Sequence, residues 1–164
     1  MAIFDTNKMT WLDEELAELE KSNKEFLELR GYILERTVEI EYKLVLLLTA
    51  YFCMDKFEKF RELIMDKEFF TFFQKIKIFN ELQLHKDSTF GKKFDKFSEK
   101  LYQINDIRNT FAHGARGASG VIYVNKKKKV IDYSELNDLK KKFTEEVEQV
   151  EKMLNDLLNI HYKF

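Results

Sequence analysis

Not one of the 164 residues is proline. The residue that most often ends or kinks a helix is therefore missing, and so is the common source of cis peptide bonds. Long unbroken helices are open to such a chain. Apolar residues make up 45% of it and sixteen are phenylalanine. That supply of bulky rings needs an interior or an interface and argues against disorder. The length suits one core, so a single domain over 1–164 is expected.

Hydrophobic spacing predicts five to six helices. Thr10 followed by Asp13 reads as a helix start before Trp11, Leu12, Leu16 and Leu19. The pattern continues through Phe26, Leu27 and Leu29 to Gly31, which reads as a break, a kink or a point of close packing. A second helix follows from Ile33 through Val38, Ile40 and Tyr42. Its run Leu44 to Leu48 is apolar on all sides, as in the central helix of a bundle. Asp55–Met65 and Glu68–Leu84 read as the third and fourth. The phenylalanines at 69–79 suit a core or, alternatively, a dimer surface. Ser88–His113 reads as a fifth, with Phe90, Phe94, Phe97, Leu101, Ile104, Ile107 and Phe111 in one stripe. Gly114 follows where a left-handed residue commonly closes a helix. After a glycine-rich loop, Val121 to Val124 and Val130 to Tyr133 predict a small β-hairpin over 121–133. Ser134 then reads as the cap of a last helix ending near Ile160. The fold class is an all-α, up-and-down bundle with that hairpin inserted.

The net charge of -1 hides an uneven distribution. The first third is acidic, residues 85–142 are basic, and the last helix is acidic again. A basic stretch attracts polyanions such as RNA, although charge runs also serve as solvated helix faces. Cys53 is the single cysteine, so paired-thiol chemistry and multi-thiol metal sites are excluded, and a small buried thiol is expected. The longest apolar run, Leu44 to Met54, is too short to span a bilayer. No basic segment leads into an apolar one at the start, so no signal peptide is expected and the cytoplasm is the default. No phosphate-cradling glycine loop, nucleophile elbow or His/Cys/Asp metal spacing occurs. No metal and no cofactor are expected. His85 and His161 read as incidental.

The fifth helix carries something a core does not explain. At about 100° per residue, Arg108 falls within roughly 40° of the centre of the apolar stripe. A guanidinium there is costly unless it is paired, with Glu35 or Glu39 for instance, or faces a wet cleft. Around from it come Ala112, Asn105, Asn109 and His113, with the small Ala112 leaving room for an approach. Asn109 and His113 are four apart and can touch. His113 alone reads equally as a cap on the last carbonyls.

The string Arg108-Asn109-Thr110-Phe111-Ala112-His113 resembles the Arg-x4-His signature of the HEPN family, including the polar residue after the arginine. The motif ends the penultimate long helix of a helical chain, with one more helix to follow, which is similar to that family's fold. The resemblance implies a metal-independent endoribonuclease acting as a homodimer, with both motif helices lining one cleft, in a toxin–antitoxin or defence setting. It implies that Arg108 binds phosphate, that His113 transfers protons and that Asn109 orients the histidine or the phosphate. A histidine titrates near neutral pH, and a guanidinium offers phosphate two hydrogen bonds. Arg116 and Lys126, Lys127, Lys128 and Lys129 are candidates to hold the RNA backbone, the lysines reading equally as a solvated hairpin tip. The same region is similar to mannitol-operon-repressor-like proteins. These imply the alternative of a non-catalytic regulatory module that binds a protein partner. Where the toxin branch carries a tyrosine two residues after the histidine, this chain has Ala115, so regulation through that tyrosine is not implied.

Overall fold

Most of the described residues are helical. The computed structural model describes residues 6–67, 70–82, 96–116, 122–123 and 130–161. Helix α1, Thr6–Cys53, takes up 48 residues, about 72 Å at 1.5 Å per residue. Thr10 and Asp13 lie inside it rather than at its start. The two helices expected on either side of Gly31 are one. Gly31 is neither a break nor a close contact, since a Cβ there would meet nothing within 4 Å.

The single helix expected over Asp55–Met65 is three short pieces instead. They are a 3-10 turn at Met54–Lys56, α2 at Phe57–Phe60 and a π-turn at Arg61–Met65. The backbone leaves the helical region at Cys53 and Lys56, with φ of -157° and -133°, and each departure resets the hydrogen-bond register. Helix α3, Phe72–Glu81, begins later than expected, because Thr71 and Gln74 form a capping box. Gln74 N–H donates to Thr71 Oγ1 at 3.3 Å, and Thr71 N–H to Gln74 Oε1 at 2.8 Å.

Helix α4 is Phe97–His113. The earlier part of the helix expected from Ser88 lies outside the described residues. Gly114 ends α4 in extended backbone (φ -68°, ψ 134°), not in the left-handed form expected. The end is closed in two other ways. Gly114 N–H reaches Thr110 O at 2.8 Å, and Arg30 Nη2 donates to Ala112 O at 3.2 Å. Helix α5, Leu136–His161, follows a 3-10 turn at Tyr133–Glu135. Its entry is capped by Asp132 rather than Ser134, the Asp132 carboxylate accepting from Ser134 N–H at 2.9 Å. That bond holds the exposed Asp132 carboxyl below its ordinary pKa.

Of the hairpin expected over 121–133, the described residues carry less than an element. Strands β1 (Ala115–Arg116), β2 (Ile122–Tyr123) and β3 (Val130–Ile131) are two residues each, antiparallel in the order β1-β2-β3. The fold is an all-helical bundle, and these pairings support no separate β insertion.

One hydrophobic cluster joins all the long helices. Helix α1 supplies Phe26, Leu29, Ile33, Ile40, Leu44, Leu47 and Leu48, and α5 supplies Phe143, Val147, Val150, Leu154 and Leu157. Their three- and four-residue spacings are the buried stripes of two packed helices. Polar contacts fix the register. Tyr32 and Thr144 share a hydrogen bond at 3.0 Å, while Arg36 Nη2 and Lys43 Nζ meet Glu151 at 2.6 and 3.3 Å. The partners advance together along both helices, so α1 and α5 run parallel. Burial alone would lower the Arg36 pKa. The Glu151 carboxylate outweighs it and holds Arg36 above its ordinary value. Phe26 stacks on Phe111 of α4 at 5.7 Å. The phenylalanine cluster divides between Phe72 and Phe79 in the core and Phe73 outside it. Cys53, expected to be buried, is only partly so. Among the described residues no helix is long and apolar enough to cross a membrane.

Two substitutions test this packing by urea denaturation. Phe111→Ala removes a fully buried ring from the α1–α4 contact and should cost about 3–5 kcal/mol. Gly31→Ala fills open space inside a helix and should add about 0.5–1 kcal/mol.

Candidate functional site

Residues of α3, α4 and α1 line a cleft of about 530 Å³. Asn105, Arg108, Asn109 and His113 line one wall, all from α4. Steps of three, one and four residues place them along one side of the helix, with Leu101 buried one turn before Asn105 and with Ile104 and Phe111 buried further around. Facing them are Phe70, Thr71, Phe72, Phe73 and Lys75 from α3 and its entry, with Glu41 of α1 and Asp66 and Lys67 from the preceding turn. Exposure rises along the α4 edge. Asn105 is buried, Arg108 and Asn109 are half-buried, and His113 is exposed.

Arg108 has neither of the carboxylate partners considered for it. Glu39 pairs with Arg36 on its own helix, and Glu35 is exposed. Arg108 Nη1 instead donates to Asn109 Oδ1 at 2.9 Å. Asn109 therefore orients the arginine, where the histidine or a phosphate had been expected. Ala112 is not part of the lining. Its carbonyl is taken by Arg30, and the cleft opens on the Asn105–Asn109–His113 side.

Lys75, Glu41 and Phe73 are among the lining residues that the sequence reading did not single out. Lys75 is 7% exposed at its side chain, and its Nζ lies 2.6 Å from Glu41 Oε1. Phe73 is 50% exposed on the cleft wall. A signal for Lys75 was present. Once the Thr71–Gln74 box fixes where α3 starts, Lys75 falls three residues after Phe72 and four before Phe79, inside an apolar stripe. The same reasoning that singles out Arg108 applies to it.

The charge balance of the cleft favours an anion. Asp66 is engaged by Arg61 at 3.4 Å and Glu41 by Lys75. Among the described residues, Arg108 and Lys67 have no carboxylate within 4.0 Å. The first turn of α3, whose leading N–H groups have no partner within the helix, borders the same space. Arg116 lies in β1, but its side chain is outside the described part, and Lys126 to Lys129 and His85 lie outside the described residues altogether. His161 is the last residue of α5, and its side chain is outside the described part. Among the described residues no three metal-ligating side chains cluster.

Comparison with family models, with characterised proteins and with solved structures finds no match to this chain.

Lys75→Ala strands the partly buried Glu41 carboxylate and should lower stability by about 2 kcal/mol, less than a fully buried pair because Glu41 keeps some water. Adding Glu41→Gln should recover most of that loss. Thermal denaturation of the three variants checks both signs.

Proposed function

We propose that the cleft binds RNA and cleaves it without a metal, as a HEPN-type endoribonuclease working as a homodimer. One observation carries the reading. Arg108, Asn109 and His113 line a single cleft, and the guanidinium there is held by an amide rather than neutralised by a carboxylate. A charge kept in that state is suited to a phosphate.

The chemistry follows from the groups. The ribose 2′-oxygen attacks the neighbouring phosphorus and the bond to the 5′-oxygen breaks. The products are a 2′,3′-cyclic phosphate and a 5′-hydroxyl. An imidazole takes the 2′-hydroxyl proton, and the leaving oxygen needs a proton in return. Arg108 neutralises charge that builds on the phosphoryl oxygens. Among the described residues one chain brings one histidine to its cleft, so a two-fold dimer supplies one imidazole for each proton transfer. The exposed position of His113 at the mouth leaves it within reach of a second copy. In a toxin–antitoxin or defence setting, a protein antitoxin or regulatory partner would act by covering this cleft. The cation-rich residues 85–142 would add backbone contacts that carry no sequence information.

Mixed-sequence single-stranded RNA incubated with the protein in EDTA should be cut to fragments with cyclic phosphate ends. Arg108→Ala and His113→Ala should each lose about a hundredfold or more in rate. Light scattering after gel filtration should give a dimer, and a monomer at working concentration would remove the composite cleft. An intact dimer that cuts nothing would leave the non-catalytic regulatory module as the reading.

A further inference from the structure

A phosphate group occupies a small fraction of about 530 Å³, a volume in the range of pockets that enclose whole small molecules. The inner part of the cleft therefore has room for more than the chemistry at its mouth. Its floor is polar. Asn105 is 5% exposed, and its side-chain amide has no hydrogen-bond partner among the described residues, yet it lines the cleft. That amide opens on the cleft, where its donor and acceptor are available to a ligand. Beside it, Lys75 and Glu41 neutralise each other. The wall is aromatic. Phe73 presents a half-exposed ring to the cleft and is braced by Tyr102 at 5.7 Å between centroids.

We infer that the inner cleft is a subsite for an unpaired nucleobase. The inference rests on the reading of the cleft as an RNA site and names the form of RNA it takes, a single strand with one base turned inward. Phe73 stacks on the base, as aromatic rings do on every base face. Asn105 bonds its edge, since a carboxamide offers a donor and an acceptor side by side and bases present the complementary pair. Arg108 and His113 then meet the phosphate of the same nucleotide at the mouth. The rising exposure from Asn105 to His113 is the order of these tasks along one helix edge: recognition inside, reaction outside.

The test measures binding, not cleavage. Fluorescence anisotropy is recorded for the full chain with 2′-O-methyl decamers of A, C and U, which cannot be cut, and with a decamer that has the sugar–phosphate backbone and no bases. At least one base-bearing strand should bind about tenfold tighter than the abasic one. Asn105→Ala and Phe73→Ala should bring that strand to within about threefold of the abasic one, leaving abasic binding as it was. Arg108→Ala should weaken all four strands alike. Asn105→Ala should melt no lower than the parent, because no hydrogen bond to the protein is lost. Phe73, half in solvent, gives a second variant whose folding is not at stake. The inference is overturned if the abasic strand binds as tightly as the others, if the base-dependent gain survives Asn105→Ala, or if no strand binds. RNA cleavage that depends on Arg108 without any base-dependent gain would remove this subsite and leave the nuclease standing.

Discussion

Everything in this fold leans on one buried stripe along α1. From Phe26 to Leu48 the helix turns a buried row toward its neighbours, apolar except for Thr37, and α3, α4 and α5 all pack against it. The row needs an unbroken helical register, because a single skipped residue would rotate everything beyond it by about 100°. The absence of proline makes such a register available, and the polar ties from Tyr32, Arg36 and Lys43 to α5 pin it from outside. The Phe26–Phe111 stack carries the constraint into α4, three residues past Arg108. The position of the candidate site is thus a consequence of packing some distance from it.

The sequence announced the helices through their spacing, and it announced Arg108 through its misfit. A guanidinium in an apolar stripe has few explanations, and the structure favours a cleft over an ion pair. Ends were harder to read than middles. Gly31 looked like punctuation, but a glycine in a helix of this length loses under about 1 kcal/mol, which the flanking buried residues outweigh. Gly114 ends α4 as expected but in a different conformation, because Arg30, 82 residues upstream, takes the carbonyl of Ala112. Nothing near Gly114 in sequence could have revealed that. Lys75 and Glu41 are 34 residues apart and meet only through tertiary packing. The capping box at Thr71 was visible and would have exposed Lys75 as a second misfit.

Lysine and arginine are treated differently in this cleft. Lys75, the more deeply buried, is matched to a carboxylate. Arg108, nearer the opening, is matched to an amide that leaves its charge intact. Desolvating a charge is costly, so the inner one is neutralised, while the outer one keeps enough water to stay unpaired. The result is a cleft whose positive potential is concentrated at its mouth.

Helix α1 outlasts the core that holds it. Its residues 13–20 are exposed on every side, and among its described side chains the first fully buried one is Phe26. A free stretch of that length is marginal as an isolated helix, sustained by continuity with the turns behind it and by weak surface pairs such as Lys24 with Glu28. One rod therefore contains two materials. Beyond Phe26 its amides open only when the bundle does, whereas those of the exposed residues 13–20 open without it, so backbone protection rises steeply along a helix that looks uniform.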